Sequence, residues 1–209
     1  MAPLTVGVAP VVGFDLDMTL IDTVPGFRAV LAALGERLGL ELPIERLTER
    51  LGPPLDHLLA PFLPAAEIPA AVDLFRALYP ERCIAAVPAL PGAHAALEAV
   101  RAHGGRTLVV TGKFAPNARL HLDHLGLETD LLAGEVWGVG KAAVLRQERA
   151  DVYVGDHVHD VEGALAAGVE SVSVLTGGCT REELLDAGTD VVLADLGEFP
   201  DWLADRLRP

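Results

Sequence analysis

The 209-residue chain carries 30 acidic residues against 16 Lys and Arg, a formal charge of −14, and is 51% hydrophobic. That length supports one good core with room for a small second unit, and the composition is that of a folded globular chain. The acid surplus argues against nucleic acid and against anionic membranes as bulk partners, and any phosphate-bearing ligand would need locally placed cations. Cys83 and Cys179 form no CxxC pair, so neither a disulfide framework nor a thiolate metal site is expected. The amino terminus lacks a basic n-region, and its apolar run meets Asp15 too early to span a bilayer. A cytoplasmic protein, monomer or homodimer, is the expectation.

Residues 6–14 form a nearly continuous, valine-rich apolar run and read as a buried parallel strand. Phe27, Val30, Leu31, Leu34 and Leu38 then fall at helical spacing, with Gly39 just past the end. Between 43 and 87 no strand is convincing, and proline-broken helical patterns cover 44–51, 55–62 and 67–79. The expected division is a small all-helical insert at 22–88 within a core made of 1–21 and 89–209, with proline-bearing hinges near 22–25 and 88–91.

Beyond Pro91 the two periodicities alternate. Helices are expected at 93–103, 116–125, 141–149, 161–167 and 182–187, interleaved with strands at 107–111, 131–136, 152–155, 171–175 and 190–193. The acid-rich stretch 201–205 reads as solvated helix. Such alternation implies an α/β fold: a Rossmann-like parallel sheet with helices on both faces, here carrying the helical insert.

Ligands of open parallel sheets bind beyond the carboxyl ends of the strands, so the polar residues that end the apolar runs matter most. These are Asp15 and Asp17 after the first strand, Thr111 after the second and Asp156 after 152–155, with Lys141 opening a helix between the last two. At a spacing of two, Asp15 and Asp17 can face the same side of an extended chain. Two converging carboxylates repel unless a proton or cation lies between them, and an all-oxygen set favours a hard ion such as Mg²⁺.

Four segments in this order resemble the haloacid dehalogenase-like hydrolase superfamily, in particular its phosphoglycolate-phosphatase-like members with a helical cap. Asp15-Leu16-Asp17-Met18-Thr19 is similar to the DxDxT motif. Thr111 in Val-Val-Thr-Gly-Lys matches the second motif, Lys141 the third, and Gly155-Asp156-His157-Val158-His159-Asp160 the GDxxxD acidic motif. Leu51-Gly52-Pro53-Pro54-Leu55 is similar to a cap segment of these relatives. The resemblance implies a Mg²⁺-dependent phosphohydrolase acting on a small phosphorylated metabolite. Asp15 would be the nucleophile and Asp17 the acid and base. Thr111, Gly112, Lys113 and Lys141 would bind the phosphoryl group. Asp15, Asp156 and the main-chain carbonyl of Asp17 would hold the metal, and Asp160 would orient that shell.

Met18 departs from the frequent Gly, His157 from a small hydroxyl residue, and the Ala-Ala after Lys141 from a frequent proline. Lys113 competes with Lys141 as the phosphate partner. Phosphoglycolate, inorganic pyrophosphate and nucleoside monophosphates are candidate substrates, with Arg50 and His57 among the residues that would choose. A phosphomutase, a 2-haloacid dehalogenase and a non-catalytic binding protein are the alternatives. His121 and His124 read as a solvated helix face, His94 and His103 as structural or surface residues, and Trp137 and Trp202 as packing residues.

Overall fold

The computed structural model describes residues 9–49 and 54–208. Six strands form one sheet: β1 (Val11–Phe14), β2 (Arg106–Val110), β3 (Leu131–Ala133), β4 (Val152–Gly155), β5 (Glu170–Val174) and β6 (Val191–Leu193). Every pairing is parallel and the order is β3-β2-β1-β4-β5-β6. The chain winds outward from β1 in both directions, so the order reverses where β1 meets β4. A crevice opens at that point beyond the strand ends.

Alternation along the strands divides the apolar residues between two layers. Val12, Phe14, Val109, Val152 and Val154 join the larger core cluster, and Leu108, Val110 and Tyr153 the smaller one on the opposite face. The larger face is covered by α5 (Ala93–Ala102) and α10 (Phe199–Arg206), the smaller by α7 (Lys141–Gln147) and α8 (Val158–Ala167). Phe199 and Leu203 are fully buried, so α10 is amphipathic rather than solvated throughout. α6 (Ala115–Leu125) and α9 (Arg181–Asp186) complete the alternation.

Between β1 and α5 the described residues contain helices and no strand: α1 (Val24–Leu38), α2 (Ile44–Thr48), α3 (Leu55–Leu59) and α4 (Ile68–Arg82), then a 3-10 turn at Ile84–Ala86. Gly39, at φ 65°, ends α1 in the left-handed region that favours glycine. α1 packs on α4 through Phe27 and Phe75, whose ring centroids lie 5.1 Å apart. Entry and exit of this insert are stitched together: Asp22 N–H donates to the Pro88 carbonyl and Leu90 N–H to that of Leu20, each at 2.9 Å. Apolar side chains of the insert and of the sheet share one continuous cluster, in which Leu34, Phe75 and Tyr79 join Phe14 and Leu97.

Several boundaries differ from expectation. The first strand is only Val11–Phe14, and residues 6–8 lie outside the described residues, as do Arg50 and 51–53 of the cap-like segment. α8 begins at Val158 rather than at 161, because His157 caps it. No helix among the described residues is long and apolar enough to cross a membrane.

Candidate active site

The carboxyl end of β1 carries Asp15, whose N–H donates to the Val154 carbonyl at 2.8 Å and so continues the ladder with β4. Asp156 follows β4, which places the two carboxylates on either side of the reversal in strand order. Gly155, between that strand and Asp156, has a structural reason: a Cβ there would lie 2.4 Å from Cγ of Asp160. Only glycine lets the Asp160 carboxylate tuck against the strand end. Asp160 Oδ2 then accepts the His157 N–H at 3.1 Å, while His157 Nδ1 accepts the His159 N–H at 3.2 Å. This reciprocal cap makes His157 the capping residue of α8.

Lys141, the first residue of α7, reaches under these acids and is 2% exposed. Its Nζ lies 3.0 Å from Asp15 Oδ1, 2.6 Å from Asp160 Oδ1 and 2.8 Å from the Tyr153 hydroxyl. Tyr153 in turn donates to the Val110 carbonyl at 2.6 Å. Gly13 makes room for that arrangement, since a Cβ on it would meet the Tyr153 ring at 2.8 Å.

Asp15, Asp156 and Asp160 bring carboxylate oxygens within 4.8 Å of one another, and all three residues are buried. Burial, with the charges of Asp160 and Asp17, raises the Asp15 carboxyl to about 7 even though Lys141 pulls the other way. Asp156 is raised well above the carboxylate range by burial and by Asp160 and Asp15. Its recorded partner is the Thr19 hydroxyl, which donates to Oδ1 at 2.8 Å. Burial works against the Lys141 charge, but Asp15 and Asp160 outweigh it and hold the ammonium protonated. A buried three-carboxylate set sharing one ammonium is short of positive charge. Hard oxygen donors at this spacing suit Mg²⁺ in chemistry and in number.

Asp17 points elsewhere. Its Oδ1 takes the Lys113 ammonium at 2.7 Å and the Thr23 hydroxyl. Burial opposes its ionisation, and these two partners outweigh burial, so the carboxyl falls below its ordinary value. Lys113 Nζ also lies 4.9 Å from the Tyr79 ring centroid. Tyr79, on α4, shares a 2.9 Å hydrogen bond with His121 Nε2. His121 is fully buried and only His124 is exposed, which corrects the expected solvated pair. Spacing of three marks a shared helix face but does not tell which neighbour covers each residue. Burial and the nearby Lys113 charge push the His121 imidazole down to about 4.

Thr111 is buried at the end of β2, its hydroxyl oxygen accepting the Lys113 N–H at 3.3 Å. Asp15, Asp17, Thr111, Gly112, Lys113, Lys141, Asp156 and Asp160 all line one cavity, of about 680 Å³. Thr23, Tyr153 and Tyr79 escaped sequence reasoning because apolar or helical context hides them. Thr19, quoted with the first motif, proves to serve Asp156. Trp137, read as a packing residue, also lines the cavity.

This fold and strand-end cluster are those of a known class: the chain belongs to the haloacid dehalogenase-like hydrolase family, whose model matches residues 12–165. A second, HAD-hydrolase-like model matches residues 141–199. The chain is similar to phosphoglycolate phosphatase of Rhodospirillum rubrum, 32% identical over 91% of this chain and 89% of that protein. It is also similar to the tyrosine-protein kinase PtkA of Mycobacterium tuberculosis, 30% identical over 86% of this chain. It spans 66% of the length of that mycobacterial relative. A haloacid dehalogenase-like family hydrolase from Streptococcus pneumoniae shares the fold at TM-score 0.80 and 21% identity, over 95% of this chain and 98% of that one.

Proposed function

We propose that the chain is a phosphomonoester hydrolase that works through an aspartyl-phosphate on Asp15. The observation that carries this reading is the Asp15 carboxylate at the sheet's reversal point, 3.0 Å from Lys141 and grouped with Asp156 and Asp160. Mg²⁺ would be held by Asp15, Asp156 and the main-chain carbonyl of Asp17. When bound, it supplies charge that favours the ionised form of Asp15 and offsets the phosphoryl oxygens. Lys141 lowers the repulsion between the Asp15 carboxylate and the anionic ester, while Asp160 and Tyr153 fix the position of its ammonium.

Asp15 attacks phosphorus in line with the departing oxygen. Asp17 gives that oxygen a proton, then takes one from the water that opens the acyl phosphate. Ion pairing in the free protein keeps Asp17 charged, so Lys113 must shift toward the phosphoryl group before Asp17 can serve as an acid. Thr111 and the turn after it bind phosphoryl oxygens. Residues 22–88 act as a cap over the cleft, moving about the stitched segments 20–22 and 88–90 to exclude water.

Turnover of p-nitrophenyl phosphate with Mg²⁺, and after chelation, tests the reading against Asp15→Asn. The expected result is metal-dependent turnover that falls at least ~10³-fold in the variant, with a melting temperature equal to wild type or higher in chelator. Turnover untouched by chelation or by the substitution overturns it. Release of chloride from chloroacetate without metal would instead mark a dehalogenase.

A further inference from the structure

Above the carboxylates the cavity has two unlike resources, charge and rings. Its described lining cations are all engaged. Lys141 lies between Asp15 and Asp160, and Lys113 is on Asp17. Arg76 is 3.2 Å from Glu135, with its guanidinium carbon 4.1 Å from the Phe114 ring centroid. The other charged groups that line the cavity away from its floor are acids: Asp56, Asp73 and Glu135. A small substrate with a second anionic group, such as a carboxylate, would meet no spare cation among these residues.

Rings are abundant by contrast. Trp137 stands over the phosphate-binding turn, since a Cβ on Gly112 would lie 3.4 Å from its Cδ1. The His159 ring packs against it at 4.2 Å, and His157 follows at 4.7 Å from His159. From the insert, His57 approaches the indole edge-on at 6.2 Å. Trp137 is half-buried, and its recorded ring neighbours are imidazoles rather than a hydrophobic core. Such an aromatic edge beside the reacting centre offers area and a polarisable face to a flat group. A cavity of about 680 Å³ exceeds what a two- or three-carbon ester fills and falls in the range of drug-sized ligands.

We propose that the alcohol released by this enzyme carries an uncharged planar ring, aryl or nucleobase, which lies against the Trp137–His159 edge while Asp15 engages the phosphoryl group. This rests on the phosphomonoester reading and narrows it: the chain selects for a flat leaving group rather than for a carboxylate. Trp137 is then a specificity-determining residue, and the helical insert presses the ring against it from the other side.

Matched esters of primary alcohols test the proposal with the reacting centre held nearly constant. Benzyl phosphate is compared with cyclohexylmethyl phosphate, adenosine 5′-monophosphate with ribose 5-phosphate, and all four with 2-phosphoglycolate. The expected kcat/KM is about tenfold higher for the ring-bearing member of at least one pair, and for that ester over 2-phosphoglycolate. Which pair shows it separates an aryl from a nucleoside source. In Trp137→Ala the ratio within that pair falls toward one, and Trp137→Phe restores most of it. If Trp137→Ala does not fold, Trp137→Leu fills the space without a ring face and carries the same readout.

Ratios within twofold of one in both pairs, a preference for 2-phosphoglycolate, or a ratio unmoved by loss of the indole overturns the proposal. In those cases turnover that is lost in Asp15→Asn leaves the phosphomonoester reading standing. No turnover of any of the five esters by folded, Mg²⁺-supplied protein overturns both.

Discussion

At the floor of the cleft, Asp15 and Asp160 share the Lys141 ammonium while Asp156 leans on a hydroxyl; a little higher, Asp17 holds the Lys113 ammonium and the Thr23 hydroxyl together. Asp15 and Asp17 are two residues apart, yet one carboxyl is pushed up to about 7 and the other below its ordinary value. Burial raises both and each has one lysine, so the difference is negative charge: Asp15 shares its ammonium with Asp160, while Asp17 has Lys113 and a hydroxyl to itself. The floor is short of a cation and has an appetite for a proton or a metal. The wall is already neutralised by Lys113. On the phosphomonoester reading, a dianionic phosphate brought in with a divalent ion would meet both conditions together.

The largest effect should come from removing the ammonium of the floor. Lys141→Met leaves Asp15 and Asp160 facing each other in a buried site, which should cost ~3–5 kcal/mol of stability at neutral pH and at least ~10²-fold in kcat. Because protonation relieves the repulsion, the stability loss should shrink at pH 5. Urea unfolding at pH 7.5 and pH 5 reads this directly, and an equal loss at both would mean that the two acids are not held apart by Lys141.

Next in size is the corresponding change in the wall. Lys113→Met should lower kcat/KM about tenfold, because a cation that would meet the phosphoryl group is gone. With its counter-charge gone, the Asp17 carboxyl rises, so its protonated form survives to higher pH. The alkaline limb of the kcat profile should therefore move up in pH, and a stationary limb would remove Asp17 from the role of acid.

A smaller effect belongs to the polar cluster behind the wall. The imidazole of His121 titrates at about 4 in the folded protein, below its ordinary 6.5. Its contribution to stability is thus complete above 6.5 and lost as pH falls toward 4, at up to ~1.4 kcal/mol per pH unit. His121→Gln keeps a hydrogen-bonding partner for Tyr79 without a titrating group. The fall in Tm between pH 7 and pH 4.5 should be shallower in the variant, and parallel curves would show that the imidazole does not titrate as a buried group.

Smallest is Met18→Gly. Met18 sits at φ 58°, in the left-handed region that L side chains disfavour, and glycine there should gain up to ~1 kcal/mol. A loss in chemical denaturation would mean that contacts of the methionine side chain outweigh the relief. The methionine that departs from the family pattern thus adopts the conformation that glycine would take.

Legibility followed the same division between floor and wall. Asp15 and Asp156 end apolar runs, so the strand-end rule points to them, whereas Lys141 and Asp160 were legible only through the resemblance to the family motifs. Even there, the reason for Gly155 emerged only from the approach of the Asp160 carboxylate. The wall was mostly hidden. Lys113 was seen as a rival for phosphate but not as the partner of Asp17, His121 was assigned to solvent, and Trp137 was assigned to packing.

The order of periodicities along the chain was enough to determine an α/β protein with a helical stretch after its first strand, and the polar residues at its strand ends. These are properties of neighbours in sequence, where a period of two or of 3.6 reports directly on which face is apolar. Tertiary structure alone decided which charges meet. Lys113 and Asp17 are 96 residues apart, Thr19 and Asp156 137, and Tyr79 and His121 42. An electrostatic field depends on distance through space and on the exclusion of water, and no spacing along the chain encodes either.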